Sequence, residues 1–402
     1  MPDVFPPDPT TTLPSDGTAG ALVGRVWRPE LGGPSVVAVR DDGLYDVSAE
    51  FATVSDLCET TDPAAALRKA DGERVGDLAD LLANTPPEQR DPVRPHLLAP
   101  VDLQVLRAAG VTFAVSLLER VIEERADGDP AAAARERAEF GAGAELSSVR
   151  PGSPEAARLK ERLVAEGAWS QYLEVGLGPD AEIFTKAPVL SAVGTAADAG
   201  IRAGSIWNNP EPEIALVVTS DGRIVGATLG NDVNLRDIEG RSALLLSYAK
   251  DNNASAALGP FVRLFDDGFG LDDIRGTDVT LTVRGTDGFV LEDVSSMTHI
   301  SRDPVDLVAQ LIGPHHQYPD GAVLYLGSMF APVLDRDAPG QGFTHHVDDV
   351  VTVAAPLLGS LVNRIRTSDQ CPPWIVGTGA LFRNLAGRGL LAVSPATRPA
   401  AP

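Results

Sequence analysis

Few stretches of this chain restrict its fold as much as Trp207-Asn208-Asn209-Pro210-Glu211-Pro212-Glu213, which runs on through Ser220-Asp221-Gly222-Arg223 to Gly230-Asn231-Asp232-Val233-Asn234. Apolar runs from Ile214 to Val218 and from Ile224 to Leu229 flank Asp221-Gly222. Asp-Gly between such runs is a strong hairpin signal. With Asp221 and Gly222 as the two turn residues, Ser220 pairs with Arg223 and Glu211 lies across from Asp232. Residues two apart on a strand share a face, and directly opposed residues share one too. Glu211, Glu213 and Asp232 are therefore expected on one side of the sheet. Three carboxylates so close repel one another unless some are protonated or a cation sits among them. An all-oxygen set favours a hard divalent ion, Mg²⁺ first, with Mn²⁺ or Ca²⁺ as alternatives. Pro212 cannot donate to a ladder and argues for an irregular strand end.

The rest of the composition narrows the setting of that cluster. A chain of 402 residues, 44% hydrophobic, can bury a sizeable core, and a formal net charge of -23 argues against nucleic-acid or acidic-membrane partners. Cys58 and Cys371 are too few for a disulfide framework, and the first seventeen residues carry five prolines, three acids and no basic residue, unlike a signal peptide. These features predict a cytoplasmic protein. Of 33 basic residues only Lys69, Lys160, Lys186 and Lys250 are lysines. Lysine, unlike arginine, can lose its proton when buried and act as a base.

Along the chain, residues 1–19 and 393–402 read as disordered tails, 20–98 as a small N-terminal α+β domain, and 99–392 as the catalytic domain. Pro92, Pro95 and Pro100 place His96 in a linker. Residues 110–166 read as a helical lid. In its first helix Val111, Val115, Leu118 and Ile122 form an apolar stripe, with Ser116, Glu119 and Glu123 on the opposite, polar side. Glu123 reads as part of a solvated face. Asp129-Pro130 and Ser153-Pro154 start two further helices ending near Phe140 and Glu166, with Gly141 to Pro151 as a loop between them. Beyond Gly178-Pro179 many short strands predict an α+β fold with a rolled mixed β-sheet. His345-His346 and His315-His316 read as turn residues, because neighbours on a strand point to opposite faces.

Taken in order, Glu211-Pro212-Glu213, Gly230-Asn231-Asp232-Val233, Arg236-Asp237, Lys250, Leu258-Gly259-Pro260, the late Gly342-Phe343-Thr344 and Leu361-Val362-Asn363 resemble the fumarylacetoacetate hydrolase family over roughly residues 100–392. The resemblance implies Mg²⁺ on Glu211, Glu213 and Asp232, a small-molecule 2-oxo acid bound on the metal, and a homodimer or homotetramer. Lys186 and Lys250 match lysines of the family's motifs. Many hydrolytic members carry a histidine and a glutamate three apart on the lid helix; here Ser116 stands at the histidine position and Glu119 at the glutamate, so the group that activates water for C–C cleavage is missing. Ser328 likewise replaces a usual threonine. Trp207-Asn208-Asn209-Pro210 and Lys250-Asp251-Asn252-Asn253 are most similar to the branch that dehydrates 2-keto-3-deoxy sugar acids. The expected roles are Lys250 as base, Glu119 as acid, and Arg236 and Lys186 as groups that orient the substrate acid or shape the site. A C–C hydrolase of acylpyruvates or diketo-deoxy acids, or a keto-acid-binding paralogue without catalysis, are the competing expectations.

Overall fold

The computed structural model describes residues 5–139, 149–338 and 342–391. The acidic hairpin, Pro212–Val218 against Ile224–Asp232, lies at the centre of an eleven-stranded mixed sheet. Ile224–Asp232 pairs antiparallel with Ala256–Leu264, and Pro212–Val218 pairs antiparallel with Ala322–Tyr325. Ala322–Tyr325 continues in parallel to Val105–Ala109, and Ile183–Ala187 closes that edge. A hairpin with neighbours on both sides is buried on both faces, which explains its near-continuous apolar runs. Ile214, Leu216 and Val218 face the largest core, whereas Ala215 and Val217 face a second one.

The largest core is closed by a five-stranded sheet in the order Val290–Ser296, Asp278–Arg284, Val350–Ala355, Gly359–Thr367 and Asp198–Ile201. Its inward residues Leu281, Val283, Val351, Val353 and Leu361 pack against Leu216 and Leu229 of the central sheet. The α+β expectation with rolled mixed sheets holds.

The N-terminal segments are tied to the central sheet. Leu22–Arg28 pairs with Ala256–Leu264, and Gly33–Arg40, Gly43–Asp46 and Glu73–Gly76 extend the same sheet outward from it. Residues 20–98 therefore share the central sheet and do not form a sheet of their own. The stretch around His96 is a short strand, His96–Leu98, paired to Leu22–Arg28, with the imidazole stacked on Trp27 at 6.5 Å. Burial lowers the His96 pKa to about 3. The supposed tail is tied down as well. A turn of helix, Pro9–Thr12, is capped by Asp8, and Asp16 makes a two-pronged ion pair with the buried Arg263. That buried guanidinium needs a counter-charge, which the acidic leader supplies. The tail expected at 393–402 lies outside the described residues.

The lid comprises helices Ala114–Arg125, Pro130–Glu139, Pro154–Ala165 and Gln171–Leu177. Asp129 and Ser153 accept hydrogen bonds from the amides of Ala132 (2.6 Å) and Ala156 (3.1 Å), the expected caps. Phe140, the loop from Gly141 through Ser148, and Gly340-Gln341 lie outside the described residues.

Candidate metal centre and active site

The register that the hairpin argument requires is present at the site end and absent at the turn. Every pair from Pro212↔Asn231 to Val217↔Gly226 keeps it, after which a bulge shifts Val218 onto Ile224. Thr219 to Arg223 then form a longer turn in which the Thr219 amide donates to the Arg223 carbonyl. Beyond Pro212 the Asp232 amide still donates to the Glu211 carbonyl at 2.9 Å, so these two residues face each other as expected. Pro212 costs the strand end a donor, and the Glu211 amide donates to the Asn231 side-chain oxygen at 3.0 Å.

Glu211, Glu213 and Asp232 are buried, and their nearest carboxylate oxygens lie within 4.8 Å of one another. Two lysines meet them. Lys186 Nζ stands 2.7 Å from Asp232 Oδ1 and is anchored by the carbonyls of Lys250 (2.7 Å) and Val233 (3.2 Å). Lys250 Nζ bonds Glu211 Oε2 and stands 3.2 Å from Asp232 Oδ2. Burial disfavours the charge on both lysines. It prevails at Lys186, whose pKa is lowered; at Lys250 the carboxylates of Asp232, Glu211 and Glu239 outweigh it and the pKa is raised. Burial would also raise Asp232, yet the two ammonium groups hold it below the usual carboxylate range. Glu213 differs from both. Its Oε2 accepts the Gly327 amide at 2.6 Å, and burial together with the charges of Asp232 and Glu211 pushes its pKa well up.

The lid helix contradicts the expected orientation. Ser116, Glu119 and Glu123 are buried, while Val115 is 45% exposed and Val111 precedes the helix at φ 47°. The polar face turns inward because arginines meet it there. Arg137 grips Glu119 with two bonds, 2.8 and 2.6 Å. Glu123, expected on a solvated face, is 1% exposed and pairs with Arg120 and with Arg236 at 3.1 Å. Arg120 also bonds Glu211 Oε1 and stands 3.2 Å from Glu239. Arg236 further donates to the Pro332 carbonyl at 3.4 Å and lies 5.3 Å from the Trp207 ring. The Ser116 hydroxyl donates back to the Phe113 carbonyl at 2.9 Å and that of Ser328 to Phe330 at 2.9 Å.

These groups line a cavity of about 30 Å³ that is partly open to solvent. A divalent ion fits that space. Seven carboxylates line it, those of Glu119, Glu123, Glu182, Glu211, Glu213, Asp232 and Glu239, against the cations Arg120, Arg236 and Lys250, with Lys186 and Arg137 behind them. The negative excess and the all-oxygen donor set both suit a divalent ion. Glu213 in particular has no cationic side chain within ion-pair distance among the described residues.

Glu182 is the functional candidate that the sequence did not reveal. Its carboxyl fits against Gly110, where an added Cβ would come within 1.8 Å of Oε2, and burial with the Glu239 charge raises its pKa to about 7. A single glutamate before a short strand carries no spacing signal. Arg120 and Glu239 were equally hidden, one and two positions from a motif residue.

No family model matches the chain. It is 25% identical over 335 residues to the probable 2-keto-3-deoxyxylonate dehydratase of Haloferax volcanii, covering 83% of this chain and 95% of that protein. Over 185 residues it is 29% identical to the 2-dehydro-3-deoxy-D-arabinonate dehydratase of Saccharolobus solfataricus, covering 46% of this chain and 58% of that one. A solved 2-keto-3-deoxy-D-arabinonate dehydratase complexed with magnesium and 2,5-dioxopentanoate matches 86% of this chain and 99% of its own at 21% identity and a TM-score of 0.57. The fumarylacetoacetate hydrolase of Exiguobacterium antarcticum matches at 16% identity and a TM-score of 0.50. The fold is that of the fumarylacetoacetate hydrolases, and the resemblance to the family's sugar-acid dehydratase branch is borne out by the two sequence relatives.

Proposed function

We propose that this chain, with its fumarylacetoacetate hydrolase fold, is a Mg²⁺-dependent dehydratase converting a 2-keto-3-deoxypentonate, such as 2-keto-3-deoxy-D-arabinonate or D-xylonate, into 2-oxoglutarate semialdehyde. The observation that carries this is the buried Glu211, Glu213 and Asp232 triad under a lid helix bearing Ser116 and Glu119, where a water-activating histidine would serve a hydrolase. The names of the two sequence relatives support the same reading. We place the enzyme in the cytoplasm as a homodimer or homotetramer. Mn²⁺ or Ca²⁺ are alternative ions for the same oxygen set.

Glu211, Glu213 and Asp232 would hold the ion. Bound there, Mg²⁺ would polarise the 2-keto oxygen of a chelated 2-oxo acid and offset the carboxylates that keep Lys250 protonated. Lys250 Nζ would then remove the C3 proton. Glu182, with a pKa of about 7, would hand its proton to the departing 4-hydroxyl, a task that suits it better than Glu119, whose two oxygens Arg137 occupies. Loss of water leaves an unsaturated keto acid, and tautomerisation moves two hydrogens from the terminal CH₂OH to C3 and C4. Lys186, buried behind Asp232, orients that ligand and touches no substrate. Lid closure excludes bulk water from these transfers.

The test is purified protein with Mg²⁺ and separate substrates. Semialdehyde release from a 2-keto-3-deoxypentonate, abolished in Glu211→Gln, is the expected result. Cleavage of an acylpyruvate with no semialdehyde would establish the hydrolase instead, and ligand-induced stabilisation without turnover would establish a binding paralogue.

A further inference from the structure

Both oxygens of Glu211 already hold cations: Lys250 is on Oε2 and Arg120 on Oε1. Asp232 is covered likewise, Oδ1 by Lys186 at 2.7 Å and Oδ2 by Lys250 at 3.2 Å. A divalent ion that joins these ligands therefore enters a site where cations already repel it, and the least anchored of them is the one it would displace. The three candidates differ in what anchors them. Lys186 and Lys250 are buried on the sheet-bearing body. Arg120 rides on the lid helix, whose Leu117 and Val121 pack on Leu159, Tyr172 and Leu177 of other lid helices and not on the main core. It also has other carboxylates to fall back on, Glu123 and, at 3.2 Å, Glu239.

We infer that Arg120 is a positioning residue that shares Glu211 with a divalent ion by turns, so that metal binding and docking of the lid helix on the hairpin compete. The inference rests on the metal reading above. If two ligands draw on one group, each weakens the other by the same factor. Metal alone thus loosens the lid helix, and removing Arg120 strengthens metal binding, because one positive charge leaves a poorly screened cavity. At the effective dielectric of a protein site that change amounts to about tenfold or more in affinity. A purely structural arginine would act in the opposite sense, since its loss would let the ligands drift apart.

Calorimetric Mg²⁺ titration and hydrogen exchange over residues 114–125 test this on the full chain, as wild type, Arg120→Met and Arg120→Lys. The expected result is Mg²⁺ bound at least about tenfold more tightly by Arg120→Met and within about threefold of wild type by Arg120→Lys. Mg²⁺ should speed exchange of the wild-type lid helix and leave that of Arg120→Met unchanged. Equal or weaker Mg²⁺ binding by Arg120→Met overturns the competition. Should Arg120→Met not fold, wild-type exchange decides alone, and Mg²⁺ that slows lid exchange or leaves it unaltered overturns the inference. Wild-type protein that binds no Mg²⁺ overturns the metal reading and this inference with it, whereas ordinary wild-type affinity without tightening in the variant overturns the competition alone.

Discussion

The hairpin and the lid helix both bring carboxylates to one cavity, but they hold them by different physics. On the hairpin, Glu213 and Asp232 belong to strands with hydrogen-bonded neighbours on both sides and apolar cores on both faces. A slip of one residue would send every side chain to the wrong face, so the positions are rigid. On the lid, Glu119 and Glu123 are placed by arginines, while the helix's apolar contacts go to small clusters with Tyr172 and Leu177 and, through Ile122, with Ala133 and Trp207. The ladder fixes the positions of carboxylates that could hold a metal, whereas the lid carboxylates depend on ion pairs.

The largest effect that would break this contrast lies on the hairpin. Asp232→Asn keeps the shape and the ladder but removes a charge that meets both buried lysines, and metal-dependent turnover should fall at least about 10³-fold while the fold persists. Turnover within about tenfold of wild type, at equal metal occupancy, would show that the hairpin is scaffold only. Next comes the joint between the two regions. Glu123→Ala takes from the buried Arg236 its ion-pair partner at 3.1 Å and from Arg120 one of three carboxylates, and losing one partner of a buried ion pair costs about 3–5 kcal/mol. Thermal unfolding should register that loss. If the midpoint stays put, the lid is joined to the body by something other than these pairs.

A smaller effect separates the regions by pH. Burial and Glu239 raise Glu182 to about 7, against about 4.3 for a free glutamate. The folded state therefore binds this proton more tightly than the unfolded chain does. The stability it contributes is complete below about pH 4 and is lost as pH rises through 7. Glu182→Gln should accordingly match wild type in acid and exceed it in stability above pH 7, and it should lack the fall in kcat/KM expected of wild type on the alkaline side of 7. An unchanged alkaline limb in the variant would assign that proton to another group.

The smallest effect concerns the residues that made the site legible in the first place. Asp221-Gly222 predicted a two-residue turn and, through it, the pairing of Glu211 with Asp232. The pairing is there, yet the turn is not, because a bulge after Val217 lengthens the loop to Thr219–Arg223. Register at the far end is kept by Ile214, Leu216, Ala215 and Val217 alternating between two cores, so the inference succeeded on the apolar pattern while crediting the loop. The lid misled for the converse reason. Its polar face is buried only because Arg236 and Arg137 arrive from elsewhere in the chain, and no local period records such partners. Likewise the N-terminal strands join the central sheet through Leu22–Arg28 and Ala256–Leu264, a pairing between segments more than two hundred residues apart that strand patterns cannot specify. Gly222 sits at φ +86°, so Gly222→Ala should cost about 1 kcal/mol of backbone strain. If register is held by the cores, Mg²⁺ affinity in that variant stays at the wild-type value. A loss of affinity beyond the small change in stability would show that the turn, at the opposite end of the strands from the carboxylates, sets the site after all.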